Sequence, residues 1–357
     1  DNNKIIEAIS YFLEGLNYNP LDYNILNNLG DTYKSCNQFQ KAISCFQKAL
    51  QLNPHLTEAE MNLSYCKSKA VPEWHIEMLN DIQRNKVYFE ALKKGISKND
   101  TVLDIGTGSG ILSMIATKFT NKKVYTCENS KVIANVAKKI ISRNGLSSRI
   151  EVIPKKSTDI KIVENLPKKV DVLISEILAA EFVGEGVRET IKDAKNRLLK
   201  ENGLIIPQAG EIKFALINDD KFLKDKAFVD RVYGFDLSEF NNVTTKKISI
   251  HFNKRPKFLS NPKVAFKIDL NKETILEKKD EFVEIPIIDD GISLGIVQWL
   301  KVKILDDIYY ENTPGLVHSH WPTPMFMFNK PIKVTKGKYL RIKISLLKDN
   351  IWFSKVD

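Results

Sequence analysis

The chain has 357 residues, 43 % hydrophobic and 9 % aromatic, which suits two or three compact units with their own cores and argues against disorder. No apolar run nears the ~18 residues of a membrane span, and no apolar leader follows Asp1-Asn2-Asn3-Lys4, a start that is not an initiator Met. The net charge of +10 invites a nucleic-acid partner, but the lysines are spread along the chain and often stand among acids, as from Lys272 to Asp280, so a solvated surface is expected.

The short basic cluster Lys254-Arg255-Pro256-Lys257 is the exception, and it has no interleaved aromatics. Neither a membrane nor a nucleic-acid substrate is therefore expected. Cys36, Cys45, Cys66 and Cys127 lack Cys-x-x-Cys spacing and matching histidines. Reduced thiols in the cytoplasm, or in the nucleus of a eukaryotic cell, are the expected state, with no metal site.

In chain order, Leu26, Leu29-Gly30, Tyr33, Phe39, Ala42, Phe46, Ala49 and Pro54 fit one tetratricopeptide unit of two antiparallel helices. Small Gly30, Ala42 and Ala49 allow close approach of the helices, and Pro54 ends the second one. Ala8, Phe12, Leu16 and Pro20 stand 34 positions before Ala42, Phe46, Leu50 and Pro54, as the second helix of a preceding repeat. Thr57 to Lys69 reads as one more helix that caps the stack. Residues 1–70 thus form an all-α repeat unit, and such stacks hold a protein partner on one face.

From about Trp74 strands and helices alternate. Apolar, β-rich runs lie at Thr101 to Ile105, Lys123 to Cys127, Ile150 to Ile153 and Val170 to Ser175, with helical segments at Ile111 to Phe119 and Lys131 to Asn144. This is the α/β pattern of a doubly wound parallel sheet, assigned to residues 71–206. After Pro207 strands dominate, among them Ile248 to Phe252, Val297 to Ile304 and Leu340 to Leu346, which predicts a β-sandwich or barrel over residues 207–357.

The first apolar strand runs into Asp104-Ile105-Gly106-Thr107-Gly108-Ser109-Gly110, and a helix follows. Glycines in that setting permit positive φ and close approach of a ligand to the backbone. The second strand ends at Glu128, eighteen residues after Gly110, where a carboxylate can accept both ribose hydroxyls of an adenosine cofactor. Glu128 alone fits NAD or S-adenosylmethionine. The Gly-x-Gly-x-Gly spacing favours the second, which has no pyrophosphate to cradle.

The fourth strand leads into Ser175-Glu176-Ile177-Leu178-Ala179-Ala180-Glu181-Phe182-Val183-Gly184-Glu185-Gly186, an apolar loop that carries carboxylates. Such acids are costly to desolvate without a cation, and a planar guanidinium with paired donors meets that need. Solvated loop acids are the other reading. Glu176 and Glu185 are nine residues apart, so only a loop that folds back can join them.

This segment resembles the double-E hairpin of the protein arginine methyltransferases, with the same nine-residue spacing. Trp74 to Asn85 is similar to that family's N-terminal cofactor helix, which implies that Arg84 pairs with the cofactor carboxylate and that Met78 packs beside the transferred methyl. Asp104, Gly106, Gly108 and Gly110 match the first motif, Glu128 the ribose-binding acid, and Lys156-Ser157-Thr158 the place where the family contacts adenine. His320-Trp321 resembles the threonine-histidine-tryptophan loop, whose histidine pairs with the acid found here at Asp81. Val232 to Asp236 resembles the segment around a helical dimerisation arm, here about residues 218–242, inserted in a β-barrel.

The resemblance covers almost all of the chain after the repeats. It implies a Rossmann-like methyltransferase unit that moves a methyl group from S-adenosylmethionine, leaving S-adenosylhomocysteine, to arginine in flexible glycine- and arginine-containing protein segments, and it implies a homodimer. One branch of the family also carries tetratricopeptide repeats. Ser319 replaces the first threonine of the histidine loop, Cys66 to Ala70 lacks the family's tyrosine-rich helix, and Glu181 is an added acid.

Two other readings share part of the pattern. A methyltransferase acting on lysine, a small molecule or RNA keeps the Asp104 and Glu128 half and leaves Glu176 and Glu185 unexplained. A tetratricopeptide adaptor with an inactive methyltransferase body conflicts with the intact set Arg84, Gly106, Gly108, Glu128, Glu176 and Glu185.

Overall fold

The computed structural model describes residues 2–71, 73–219, 221–272, 278–316, 318–347 and 350–356. Asp1 and part of the Lys272–Asp280 run lie outside the described residues. Four helices come first: α1 (Asn2–Tyr18), α2 (Tyr23–Ser35), α3 (Phe39–Leu52) and α4 (Thr57–Ala70). Asp22 caps α2 by accepting from the backbone N–H groups of Asn24 and Ile25 at 2.9 and 3.0 Å. Gly30 is required by packing, because a Cβ there would lie 2.7 Å from the Phe46 ring. Leu26, Leu29, Ala42, Phe46, Ala59 and Leu63 form the repeat core, and Val132 of the next unit packs against it.

The second unit contains α5 (Trp74–Asn80), α6 (Ile82–Gly95), β1 (Val102–Ile105), α7 (Ile111–Ala116), β2 (Val124–Cys127), α8 (Lys131–Arg143), β3 (Ile150–Ile153), β4 (Val170–Ser175), α9 (Val187–Arg197) and β5 (Leu199–Ile206). The strands pair in parallel in the order β3-β2-β1-β4-β5. Strand order reverses at β1 and β4, and ligands of such sheets bind in the crevice beyond the strand ends at that point. The register aligns Ile105 with Ser175, so the glycine loop and Glu176 leave the sheet side by side. β5 is hidden in the sequence by its polar, solvent-facing stretch Lys200-Glu201-Asn202-Gly203.

The last unit holds β6 (Ala209–Asn218), α10 (Lys221–Ala227), β7 (Arg231–Val232), β8 (Phe235–Asp236), β9 (Lys247–Ile250), β10 (Lys263–Asp269), β11 (Lys278–Pro286), β12 (Gly291–Leu305), β13 (Ile308–Glu311), β14 (Thr323–Val334), β15 (Tyr339–Leu347) and β16 (Asn350–Lys355). Six of them form one antiparallel sheet, ordered β10-β6-β12-β14-β9 with β13 on β12, and β11-β15-β16 form another. The architecture is barrel-like, but the two sheets do not pair into one closed ring among the described residues. The arm between β6 and β9 is helical only over α10, after which it becomes the β7–β8 hairpin and a 3-10 turn at Ser238–Asn242.

One apolar core runs through the sheet unit and the barrel-like unit. It includes Leu92, Ile205, Phe214 and Val302, together with Phe182 from the acid-bearing loop. Gly210 makes room for Phe182, since a Cβ there would lie 2.3 Å from the ring. The loop is therefore anchored by a buried aromatic in the neighbouring unit.

Candidate active site

Two cavities meet at the ends of β1 and β4. One, of about 350 Å³, is lined by Gly106, Gly108, Glu128, Arg84, Ser157 and the end of β1. The other, of about 370 Å³, lies between the loop after β4, His251 of the barrel-like unit, and the His320-Trp321-Pro322 segment. Trp74, Met78, Glu176, Ile177 and Glu185 line both, so the two spaces share a wall.

In the first cavity the glycine loop shows why glycine is needed. Gly106 has φ of +87°, and a Cβ would lie 2.6 Å from Ile177, while Gly108 has φ of +52° with open space where its Cβ would be. Glu128 accepts from the backbone N–H of Gly108 at 3.2 Å and of Ser130 at 2.8 Å, which fixes its carboxylate in the wall. Nε of Arg84 is buried without a hydrogen-bond partner. A fixed carboxylate, an open glycine cradle and an orphaned guanidinium donor suit the ribose, main body and carboxylate of S-adenosylmethionine, and the volume falls within the roughly 300–1,000 Å³ of small-molecule sites.

Arg84 also makes a salt bridge through Nη2 with Glu176, and both side chains are almost wholly buried. Its guanidinium lies 5.2 Å from the centre of the Tyr88 ring. The cation expected to face the cofactor is thus shared with the acceptor loop.

That loop folds back because Gly184 sits against Ala179, where a Cβ would be 2.4 Å from the alanine methyl. Glu185 and Gly186 then turn with φ of +60° and +68°. Glu176 and Glu185 are brought to the same two cavities as a result. Partial burial and then the Glu176 carboxylate push the Glu185 carboxyl above its usual range, with His75 opposing. The barrel-like unit holds the loop from outside. Trp321 Nε1 donates to Leu178 O at 3.0 Å, Gln298 Nε2 donates to Ala180 O at 3.2 Å, and Lys247 pairs with Glu181.

Asp81 and His320 come together as a buried pair, with Nδ1 3.1 Å from Oδ2. Tyr310 donates its hydroxyl to the same oxygen at 2.6 Å, and Oδ1 accepts from the backbone N–H of Arg84 at 2.9 Å, capping α6. Burial alone raises the Asp81 carboxyl, but hydrogen bonds from His320, Tyr310 and Arg84 outweigh it and hold the group below its usual range. Ser319 keeps the hydroxyl role, donating to the Tyr310 oxygen at 2.9 Å, since the one Tyr310 proton goes to Asp81, and accepting from the backbone N–H of Trp321 at 3.1 Å.

Three residues expected to bind the cofactor do not line the cavity. Asp104 lies behind the loop, where Ser113 Oγ donates to it at 2.6 Å, and burial raises its carboxyl to about 7. Gly110 is the left-handed cap of α7. Thr158 is exposed, and Lys155, Lys156 and Ser157 face the cavity instead. Sequence reasoning missed Tyr310, Gln298 and Lys247 as supports, as well as Thr190 and Lys155 in the wall. None of them stands in a local pattern.

Fold and cavity together define a Rossmann-type methyltransferase that uses S-adenosylmethionine. Three family profiles match the chain: "Ribosomal protein L11 methyltransferase (PrmA)" over residues 85–213, "Arginine methyltransferase oligomerization subdomain" over 208–357, and "Tetratricopeptide repeat" over 23–56. An arginine N(omega)-methyltransferase of Streptomyces achromogenes subsp. streptozoticus is 34 % identical over 276 residues, covering 77 % of this chain and 76 % of that protein. The chain belongs to the protein arginine methyltransferase family.

Protein arginine N-methyltransferase 9 of Xenopus laevis is 29 % identical over 360 residues, 92 % of this chain; the chain spans only 43 % of that relative's length. In fold, the chain is similar to the Trypanosoma brucei PRMT1 enzyme–prozyme heterotetrameric complex with AdoHcy, with a TM-score of 0.69, 22 % identity and coverage of 80 % of this chain and 92 % of that one. It is also similar to Arabidopsis thaliana protein arginine methyltransferase 10, with a TM-score of 0.64, 24 % identity and coverage of 75 % and 86 %.

Proposed function

We propose that this chain methylates arginine side chains of proteins through Glu176 and Glu185. The observation that carries the residue assignment is the wall these two carboxylates share between the glycine-loop cavity and the acceptor cavity. S-adenosylmethionine, when bound, supplies a methyl group activated by its sulfonium charge. Arg84, Glu128, Gly106, Gly108 and Ser157 are the residues that hold it. Glu176 and Glu185 grip the substrate guanidinium from two sides and aim one nitrogen at the shared wall, with Met78 beside the reacting atoms. A methylated guanidinium sheds a proton, and Glu185, with its raised carboxyl, is suited to receive it. Asp81, His320 and Tyr310 position α5 and α6 against the barrel-like unit, and His320 also lines the acceptor cavity.

The test offers an arginine-rich protein and labelled S-adenosylmethionine to the enzyme, followed by hydrolysis and separation of methylated arginines. Label in arginine is expected, and label only in lysine or in RNA overturns the reading. Glu176→Gln is expected to lower kcat by about 100-fold or more while S-adenosylhomocysteine binds nearly as before. Normal methylation by that variant removes Glu176 from the acceptor site. Because Glu185 must be ionised, kcat/KM is expected to fall with decreasing pH through a value above the ordinary ~4.3 of glutamate. An apparent value at or below that of an ordinary glutamate counts against that role.

A second copy of the chain is proposed as partner. The arm exposes Val232, Tyr233, Phe235, Phe240 and Val243, and the segment matches an oligomerization subdomain. The tetratricopeptide helices are proposed to hold a protein partner. The four free thiols fit a reducing compartment, proposed as the cytoplasm or nucleus.

A further inference from the structure

Arg197 is the last residue of α9, and none of the motifs read from the sequence includes it. Its Nε donates to Asp193 Oδ1 at 2.7 Å and its Nη2 to Oδ2 at 2.6 Å, a forked pair along one helix turn. The rest of the guanidinium turns to the backbone. Nη1 donates to Ile160 O at 2.7 Å, and Nη2 donates to Ser157 O at 3.1 Å and Thr158 O at 3.2 Å. These carbonyls belong to the tight 3-10 turn Ser157–Asp159 and the residue that ends it. Ser157 is buried and lines the glycine-loop cavity beside Lys155 and Lys156.

The other end of α9 follows directly on Glu185 and Gly186, and Thr190 from its middle also lines the cavity. One rigid helix therefore touches the acceptor loop at its start, the cofactor cavity in its middle and the Ser157 turn at its end.

We infer that Arg197 is a positioning residue for the adenine end of the cofactor: it clamps the Ser157 turn and so sets the shape of that part of the cavity. This rests on the reading of the cavity as the S-adenosylmethionine site. The chemistry asks for arginine in particular. A planar fork, oriented by Asp193, reaches three carbonyls at once, whereas a lysine ammonium reaches fewer from one point. Without the clamp, Thr158 O loses its Nη2 donor, and the turn is held by its own short-range bonds. The acceptor cavity does not include this turn.

The experiment measures binding of S-adenosylhomocysteine and S-inosylhomocysteine, together with steady-state kinetics, for wild type, Arg197→Met and Arg197→Lys. Arg197→Met is expected to weaken S-adenosylhomocysteine about tenfold and to narrow the preference for the adenosyl over the inosyl compound. KM for the arginine substrate, and kcat at saturating cofactor, are expected to stay within twofold, with partial recovery in Arg197→Lys. Equal affinity in Arg197→Met and wild type overturns the inference, as does an equal loss for cofactor and arginine substrate. If Arg197→Met does not fold, Asp193→Asn, which removes the charge and one of the two acceptors that orient the fork, is expected to shift the same preference in a smaller amount; no shift overturns the inference. Failure of wild type itself to bind S-adenosylhomocysteine would instead refute the cofactor reading.

Discussion

Asp81 and Asp104 are both buried aspartates, and their surroundings push them in opposite directions. Asp81 is surrounded by donors, from Tyr310, His320 and the Arg84 backbone, and its carboxyl is held low. Its folded value lies below its unfolded one, so its contribution to stability is present above the unfolded pKa and is lost as pH falls through the folded value. Asp104 is hydrogen-bonded by Ser113, its Oδ1 has no partner, and burial raises its carboxyl to about 7. The folded state then keeps a proton that the unfolded chain releases near 3.8, so stability declines as pH rises from about 4 to about 7. Asp104→Asn is expected to abolish that part of the decline. Urea midpoints of wild type and variant from pH 4 to 8 check it, and parallel curves rule it out. Tyr310→Phe removes one donor from Asp81, and a loss of about 1 kcal/mol in the same melts is expected.

At the scale of elements, close approach replaces hydrogen bonding as the deciding interaction. Gly30 on α2 faces the Phe46 ring of α3 so closely that any side chain must displace a fully buried aromatic. Alanine normally favours a helix over glycine by about 1 kcal/mol, but overpacking costs about 1–3 kcal/mol. Gly30→Ala is expected to destabilise the repeat helices without changing kcat, as read by thermal melting alongside activity; a stabilised variant would disprove the packing account.

The acceptor loop obeys the same physics. Its nine-residue spacing was legible, as was the need to fold back, because both follow from the positions of the acids. The means were not legible: Gly184 against Ala179, Phe182 beneath Gly210, and the ties from Gln298 and Lys247 join the loop to itself or to residues far along the chain.

On the scale of the whole molecule, the sheet unit and the barrel-like unit share one core, while the arm extends an apolar surface that this core does not cover. Tyr233, at the tip of the β7–β8 hairpin, is 97 % exposed. Sedimentation is expected to give twice the chain mass of 40.8 kDa, and the double substitution Tyr233→Asp with Phe235→Asp is expected to reduce it to the single mass. A monomer in the wild-type protein at micromolar concentration removes the proposed pairing.

Features encoded within a short window of chain were determined by the sequence itself. The 34-residue repeat, the strand running into a glycine turn and helix, and the paired acids of one loop each depend on neighbours a few tens of residues away at most. Tertiary structure alone decided which groups meet across long separations. Arg84 pairs with Glu176, 92 residues on, and Asp81 meets Tyr310 and His320, 229 and 239 residues on. It also decided that Ser157 faces the cavity while Thr158 faces solvent. A polar side chain has the same composition and spacing in either direction, so the choice between two adjacent hydroxyls is made by packing, here around a turn that Arg197 of α9 holds by its carbonyls.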